Sequence, residues 1–199
     1  DNSGQRYWNA TDYCCGSFGT QKTDDVAYLT AVMNDVRLKH RIDEKRVFFI
    51  GHSNGGFMSH RMACDRAARL AGIVSLAGAQ WKDETKCTPT ERVPVLQVHG
   101  DQDLVITYGG GAFYPGAVET VTDWARLDGC DAGTLIPTGA PVDLVPNVAG
   151  FETRKEGFGA CPAGIGVELW TIEGGSHIPM FADSWAPAIY DWLMAHPKP

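Results

Sequence analysis

Apolar and polar positions alternate along this chain in a way that predicts strands and helices in turn. Four apolar runs of strand length, each next to glycine, occupy residues 46–50, 71–78, 93–100 and 166–172. Helical segments are predicted from residue 23, directly after residue 54, near 117–128 and near 182–195. This alternation is typical of α/β proteins and predicts a mostly parallel sheet with helices on its faces.

The stretches between these elements are predicted to be loops. Residues 1–22 have neither a two-residue nor a 3.6-residue period, and 79–92 and 107–116 are polar or glycine-rich. The Gly/Pro-rich region 131–165 contains short strand candidates near 142–145 and 151–154. We find no internal repeat and no linker, so residues 1–199 are predicted to form a single α/β domain.

The first predicted helix has a clear start and an apolar stripe. Thr23, Asp24 and Asp25 provide capping side chains and early negative charge. The stripe consists of Val26, Leu29, Met33 and Val36. It predicts that this helix packs on the sheet.

Composition and charge narrow the class of protein. Hydrophobic residues make up 44% and charged residues 21% of the chain, as in ordinary globular proteins. The net charge of −7, without a run of Lys or Arg, argues against nucleic-acid and anionic-membrane partners. No apolar stretch approaches the ~18 residues of a membrane span. Residues 1–4 lack the features of a signal peptide, so we expect a mature or trimmed chain.

The cysteines favour disulfide bonds in an oxidising compartment. There are six of them: Cys14 and Cys15 are adjacent, and the other four lie far apart. Zinc ligation is an alternative, although close Cys-x-x-Cys pairs are missing. Buried free thiols are a second alternative.

The strand ending near residue 50 leads into Gly51-His52-Ser53-Asn54-Gly55. This Gly-x-Ser-x-Gly pattern is weak by itself, but an apolar strand before it and a helix after it are what a nucleophilic serine at a sharp turn requires. Gly51 and Gly55 are expected to permit the close approach of strand and helix. We therefore predict Ser53 as a nucleophile and the backbone N–H of Asn54 as an oxyanion donor.

A serine nucleophile needs a base and an orienting carboxylate. The third strand is followed by Asp101 and Asp103, and the fourth by His177. Because the carboxyl ends of parallel strands meet at one edge, Asp103 and His177 are predicted to join Ser53 in an order typical of α/β-hydrolases. Asp101 is the alternative acid. The remaining histidines are less suited as the base. His40 and His196 lie near predicted helix ends, and His60 lies inside a helix. His99 precedes a strand-end glycine, and His52 is beside Ser53 but expected to be directed away from it.

These motifs resemble the polyhydroxybutyrate depolymerase and feruloyl esterase group of α/β-hydrolases. The similar blocks, in order, are Tyr7-Trp8-Asn9-Ala10, Cys14-Cys15-Gly16, Asp24-Asp25-Val26-Ala27-Tyr28-Leu29, Gly51-His52-Ser53-Asn54-Gly55-Gly56, His99-Gly100-Asp101-Gln102-Asp103, Tyr108-Gly109-Gly110 and Gly174-Gly175-Ser176-His177. The resemblance implies a secreted or periplasmic carboxylic-ester hydrolase with Ser53, Asp103 and His177 as its triad. It also implies the disulfides Cys64–Cys87 and Cys130–Cys161, leaving Cys14 and Cys15. No metal or organic cofactor is expected.

The chain departs from this group before residue 46. The resemblance implies several earlier strands and a His-Gly loop that supplies a second oxyanion donor, and only a loop and one helix precede residue 46 here. We therefore expect an α/β-hydrolase core truncated in the N-terminal half of its sheet, with the nucleophile strand at an open edge. That edge is expected to pair with a second copy or with a separate N-terminal fragment. Gly16 or a neighbouring N–H is an alternative source of the missing donor.

The expected substrate is an ester, either a small molecule or a polymer. Hydroxyalkanoate oligomers or polyester and short-chain acyl esters come first, and feruloyl or acetylxylan esters are the alternative, because Ile178-Pro179-Met180 replaces the tryptophan that often follows the family's histidine. Tyr108, Trp81, Met180 and Trp185 are predicted to line an apolar cleft, with core packing as their alternative role. A catalytically impaired binding module and a peptidase are the rival functions.

Overall fold

A computed structural model describes residues 6–14 and 23–198. Its sheet contains six strands in the order β1-β2-β3-β6-β5-β4. The strands are β1 Phe48–His52, β2 Gly72–Leu76, β3 Val95–Gly100, β4 Asp131–Pro137, β5 Thr153–Gly159 and β6 Val167–Ile172. The α-helices are α1 Asp25–Lys39, α2 Asn54–Arg66, α3 Ala117–Asp128 and α4 Trp185–Met194.

The four strands predicted from apolar runs form the parallel part of this sheet. β1 pairs with β2, β2 with β3, and β3 with β6, all in parallel. Every residue of β2 and β3 is buried, because helices cover both faces. The prediction of a mostly parallel α/β sheet is confirmed.

Two further strands were not predicted as such. β5 runs antiparallel to β6, and β4 runs antiparallel to β5. β5 carries consecutive charged residues and β4 contains glycine and proline, so neither has an apolar run. Of the two candidates in this region, 142–145 contributes an isolated bridge from Val142 to Thr153, and 151–154 overlaps only the start of β5.

Two hydrophobic cores lie on opposite faces of the sheet. α2 and α3 cover one face, where Phe57 and Trp124 are fully buried with Leu169 of β6. α4 covers the other face and buries Trp192 against residues that include Trp170 and Ile172 of β6. Successive residues of β6 thus point into different cores, as the period of a strand requires.

α1 lies differently from its prediction. Its helix begins as expected, with the Asp24 side chain accepting a hydrogen bond from the N–H of Ala27 at 2.8 Å. It packs mainly against α2 rather than on the sheet. Leu29 and Met33 are partly buried there, while four apolar side chains remain exposed: Tyr28, Val32, Val36 and Leu38. Helical spacing identified the helix, but not the element it packs against.

β1 is the outermost strand on its side of the sheet. In the part of the chain that the structure describes, it pairs only with β2. The Ile50 side chain is 59% exposed, although β1 is an apolar strand. The expected open edge is therefore present among the described residues.

Disulfides join the helices to their neighbouring loops. Cys64 of α2 is bonded to Cys87, and Cys130 after α3 is bonded to Cys161 after β5, which confirms both implied pairs. Cys14 is also disulfide-bonded, and Cys15 lies outside the described residues. None of the described helices is long and apolar enough to cross a membrane.

Candidate active site

Ser53 occupies the sharp turn between β1 and α2. Its backbone has φ 53° and ψ −119°, a conformation that non-glycine residues rarely adopt and that typically costs about 1–3 kcal/mol. Hydrogen bonds on both sides maintain it: Ser53 N–H donates to the Leu76 carbonyl at 2.8 Å, and the Ser53 carbonyl accepts from Phe57 N–H at 3.0 Å. The turn therefore holds the serine in a strained backbone at the end of a parallel strand.

The close approach around this turn depends on Gly51 and Gly56. A Cβ on Gly51 would collide with the Gly55 carbonyl, and a Cβ on Gly56 would lie 2.7 Å from Ser75 Oγ and 3.1 Å from Gly78 Cα. Gly55 itself has open space where its Cβ would be. The expectation that Gly55 is the second required glycine is therefore wrong, because α2 meets β2 one residue later.

Three side chains from separate strand ends form a hydrogen-bonded chain at this turn. His177 Nε2 lies 2.9 Å from Ser53 Oγ, and His177 Nδ1 lies 2.7 Å from Asp103 Oδ2. Asp103 follows β3 and His177 follows β6, and these are adjacent strands in the sheet. Because Nδ1–H donates to the carboxylate, Nε2 is left to accept the serine proton.

Gly100 allows the loops after β3 and β6 to meet. A Cβ on Gly100 would collide with the Gly175 carbonyl, and the same carbonyl accepts from Gln102 N–H at 3.0 Å. Asp101, the alternative acid, accepts from Gly174 N–H at 2.7 Å. Asp101 therefore connects the two loops, while Asp103 contacts the imidazole.

Asp103 is held as a carboxylate although it is buried. Its Oδ1 accepts from the N–H groups of Val105 at 2.8 Å and Ile106 at 2.9 Å, and its Oδ2 contacts the His177 and His99 rings. Burial opposes ionisation, but these donors outweigh it and hold the pKa of the Asp103 carboxyl well below its usual range. The side chain is thus an acceptor for an imidazolium at neutral pH.

His52 also belongs to this site, which sequence reasoning missed. Its Nε2 lies 2.7 Å from the His177 carbonyl oxygen, so Nε2–H donates to that carbonyl. The two rings are 4.9 Å apart between centroids. His52 thus reaches the loop that carries His177. The signal for this contact was the position of His52 at the carboxyl end of β1, next to the strand ends that carry the other groups.

The Asn54 side chain has a role that its sequence position did not reveal. Its Oδ1 accepts from Trp8 N–H at 2.6 Å, and its Nδ2 donates to the Trp8 carbonyl at 2.8 Å. Nδ2 also lies 3.3 Å from Cys14 Sγ. The backbone N–H of Asn54 lies in the first turn of α2, where helix N–H groups have no intrahelical acceptor. Gly16, the alternative oxyanion donor, lies outside the described residues.

The four predicted cleft residues have different surroundings. Tyr108 is half-buried, bonds Thr171 Oγ1 at 2.8 Å and packs edge-on against the His99 ring. Met180, three residues after His177, is 69% exposed. Trp185 stacks on Phe181, with ring centroids 3.8 Å apart. Trp81 is instead a core residue with the Arg61 guanidinium over its ring, so its assignment to a substrate cleft is corrected.

No cluster of three or more candidate metal ligands occurs within residues 6–14 and 23–198. The groups brought together in the described site are a serine hydroxyl, an imidazole and a carboxylate. A hydroxyl bonded to an imidazole, with a carboxylate behind it, is the arrangement used for nucleophilic attack on an acyl group.

Comparison with known proteins shows similarity to a family of hydrolases and to several esterases. A family model described as phospholipase/carboxylesterase matches residues 21–122. Feruloyl esterase B of Piromyces equi is 29% identical over 182 residues, covering 85% of this chain and 31% of that protein. Feruloyl esterase D of Neurospora crassa is 27% identical over 184 residues, covering 92% of this chain and 57% of that protein. The chain thus spans less than two thirds of the length of these relatives.

Solved structures share the fold at low sequence identity. An acetyl xylan esterase from Aspergillus awamori superposes with a TM-score of 0.61 at 14% identity, covering 86% of this chain and 67% of that one. Esterase PE8 superposes with a TM-score of 0.56 at 16% identity, covering 86% of this chain and 60% of that one. Because the family model matches more than half of the chain and the sheet carries a serine turn after β1, the chain belongs to the phospholipase/carboxylesterase family of α/β-hydrolases.

Proposed function

We propose that this chain provides the catalytic groups of a serine carboxylic-ester hydrolase that works through an acyl-enzyme. The observation that carries the proposal is the continuous chain from Asp103 through His177 to Ser53, with contacts of 2.7 Å and 2.9 Å. Both distances are within the hydrogen-bond range needed for proton transfer.

Acylation begins when Ser53 Oγ attacks the ester carbonyl carbon while His177 Nε2 takes the hydroxyl proton. The carbonyl π electrons become an oxyanion, which the Asn54 backbone N–H stabilises. The tetrahedral intermediate then collapses, the bond to the alcohol oxygen breaks, and His177 returns the proton to that oxygen. Asp103 compensates the imidazolium throughout.

Deacylation repeats these steps with water. His177 takes a proton from water, the resulting hydroxide adds to the acyl carbon, and the bond to Ser53 Oγ breaks as that oxygen regains the proton. The products are the carboxylic acid and free serine. Every group involved comes from the protein or the solvent, so the proposed reaction uses no metal or organic cofactor.

The Asn54 N–H is the oxyanion donor that we assign within the described residues. An oxyanion hole usually contains two donors, and removing one costs roughly 10²–10³ in turnover.

Feruloyl or acetyl esters of polysaccharides are the substrate class that the relatives support. Two of them are named feruloyl esterases, and a structural neighbour is named an acetyl xylan esterase. Hydroxyalkanoate oligomers or polyester and short-chain acyl esters are the second candidate. Exposed apolar side chains within three residues of Asp103 or His177 favour it, because they suit an apolar acyl chain: Leu104, Ile178 and Met180.

Ser53→Ala tests the proposed reaction, with Ser176→Ala as the matched control. Ser176 is exposed and precedes His177 without belonging to the hydrogen-bonded chain. We expect Ser53→Ala to lose hydrolysis of p-nitrophenyl acetate and covalent labelling by a fluorophosphonate, measured by intact mass, while Ser176→Ala keeps both. Equal rates for wild type and Ser53→Ala would favour the binding-module alternative, and faster cleavage of a matched amide would favour a peptidase.

A substrate panel distinguishes the ester classes. Methyl ferulate, acetylated xylan, p-nitrophenyl butyrate and a hydroxybutyrate film can be compared by kcat/KM or by released acid. We expect the first two to be preferred if the substrate resembles those named for the relatives. Preference for the film would favour the polyester candidate.

We also propose that the open edge of β1 is paired in the working protein, either with a second copy or with a separate N-terminal fragment. An unpaired row of backbone N–H and C=O groups along a strand is a ready site for strand addition. The exposed Ile50 side chain and the apolar residues left exposed on α1 support this.

Ile50→Lys tests the pairing, with Ile136→Lys as the control. Ile136 is 50% exposed on β4, the outermost strand at the other side of the sheet. If β1 is paired, sedimentation should show a smaller species only for Ile50→Lys, and intact mass will distinguish a second copy from a fragment. A well-folded wild-type monomer with no added chain would contradict the proposal.

The disulfides support an oxidising location. Two cross-links between distant parts of the sequence are typical of secreted, periplasmic or other extracytosolic proteins. We therefore propose a secreted or periplasmic protein, which can be tested by thiol labelling of protein taken from its natural source.

A further inference from the structure

A row of buried polar side chains continues from the site carboxylate into the core between the sheet and α3. Its members are all at most 1% exposed: His99, Gln97, His60 and Trp124. The links are Trp124 Nε1 to His60 Nδ1 at 2.9 Å, His60 Nε2 to Gln97 Oε1 at 3.0 Å, and Gln97 Nε2 to His99 Nδ1 at 3.1 Å. None of these three contacts includes Ser53, His177 or Asp103.

The direction of each hydrogen bond follows from the Trp124 end. An indole N–H can only donate, so His60 Nδ1 must accept and the single ring proton must be on His60 Nε2. His60 then donates to Gln97, which must present its oxygen. A protonated His60 would place an N–H against the Trp124 N–H, and burial lowers the pKa of His60 to about 4 although Gln97 opposes this.

The same reasoning reaches His99. With its oxygen facing His60, Gln97 uses its amide nitrogen to donate to the Gly78 carbonyl at 2.8 Å and to His99 Nδ1. His99 Nδ1 is therefore an acceptor, and the ring proton is on Nε2. That Nε2 lies 2.7 Å from the Ile106 carbonyl oxygen and 3.3 Å from Asp103 Oδ2.

Two imidazoles thus contact the same carboxylate oxygen, Asp103 Oδ2. We propose that His99 is a positioning residue for Asp103, and that Gln97 keeps it in the neutral Nε2–H tautomer. The Nε2–H of His99 orients the carboxylate and the 103–106 turn. The ring that becomes an imidazolium beside Asp103 is that of His177. The inference rests on the proposed hydrolase function.

The Nε2–H tautomer of His99 has a specific geometric cause. A second ring proton on His99 would sit on Nδ1 and face the Gln97 amide N–H, so two donors would oppose each other in a buried site. The opposite ring, His177, has no such barrier because its Nε2 faces the Ser53 hydroxyl, which can accept as well as donate. The negative charge of Asp103 is therefore available to stabilise a protonated His177.

Other titratable groups lie near these rings and contribute to any pH dependence that is measured. They are Tyr108 edge-on to His99, His52 beside His177, Asp101 in the loop after β3, and Arg154 and Glu156 on β5 near Tyr108. Among the hydrogen bonds of the described residues, Nδ1 of His99 meets only the Gln97 amide. The Gln97 contact can therefore be tested separately.

Two-bond ¹H–¹⁵N NMR of the imidazole rings tests the proposal without substrate. We expect His60 of the wild type to be a neutral Nε2–H tautomer from about pH 5 to 8, and His99 to carry its N–H proton on Nε2. In Gln97→Leu, His99 should lose this fixed tautomer and show both ring nitrogens partly protonated. Gln80→Leu is the matched control, because Gln80 is equally buried and donates instead to Asp123 at 2.8 Å. A wild-type His99 in the Nδ1–H form would overturn the proposal.

Kinetics then measures the effect on the reaction. We expect His99→Leu to lower kcat roughly 10–100-fold with KM within about twofold, since misplacing a reacting group by about 1 Å costs this much. His99→Gln, which retains a donor near the Nε2 position, should recover most of that loss. Equal losses in both variants, with active sites counted by fluorophosphonate titration, would contradict the positioning role. Absence of wild-type hydrolysis would contradict only the proposed function, because the NMR result stands separately.

Discussion

Replacing Asn54 by alanine should free the Trp8 backbone without removing the proposed oxyanion donor. Two hydrogen bonds join the Asn54 amide to Trp8 N–H and C=O, at 2.6 Å and 2.8 Å. At about 1 kcal/mol each, their loss should favour local opening by about 2 kcal/mol, or about 30-fold. The neighbouring residues keep other anchors: Asn9 N–H donates to Asp25 at 2.7 Å, and the Ala10 carbonyl accepts from Arg61 at 2.9 Å.

Amide hydrogen exchange measured residue by residue checks this expectation. The Trp8 amide should exchange about 30-fold faster in Asn54→Ala, while the Thr11 amide, which donates to the Cys14 carbonyl at 2.9 Å, should change less than about threefold. Because alanine keeps the backbone N–H, kcat should fall less than about tenfold. Unchanged exchange at Trp8 would refute the reasoning, and a loss of turnover as large as that of Ser53→Ala would show that the side chain acts in the reaction.

Three other changes test separate features. Asp103→Asn should lower kcat by about 10³–10⁴, measured on p-nitrophenyl acetate, because an amide cannot compensate an imidazolium. Burial raises the pKa of the Asp128 carboxyl to about 7, although the hydrogen bond that it accepts from Val93 N–H opposes this. Between about pH 4 and 7 the folded protein therefore holds a proton that the unfolded chain has lost. The free energy of unfolding should fall as pH rises through that range. Asp128→Asn should flatten that fall in urea titrations at about pH 5 and 8. Replacing Cys64 and Cys87 by alanine should reduce the free energy of unfolding by about 3 kcal/mol, given their separation of 23 residues.

The parallel half of the fold could be predicted because its strands are buried on both faces. Such strands read as continuous apolar runs, and each of the four is followed by a glycine-containing turn. The rule that parallel strands end at one edge then brought Ser53, Asp103 and His177 to one place, and the structure brings these side chains within hydrogen-bond distance. Their catalytic roles stay predictions.

The remaining features depend on partners that the local pattern does not show. β4 and β5 pair through backbone groups while carrying charged and small side chains, so no apolar period indicated them. The Asn54 side chain reaches Trp8 from 46 residues away, and His52 reaches the His177 carbonyl from 125 residues away. These contacts depend on how loops pass over strand ends, which sequence spacing does not determine.

The position of β1 links assembly to chemistry. β1 is an outer strand of the sheet and leads directly into Ser53. Its last residue, His52, contacts the loop that carries His177, the proposed base. A chain that pairs with the free side of β1 would lie within a few residues of the Ser53 hydroxyl. Specific activity should then vary with protein concentration, so that diluting the enzyme reports on its association.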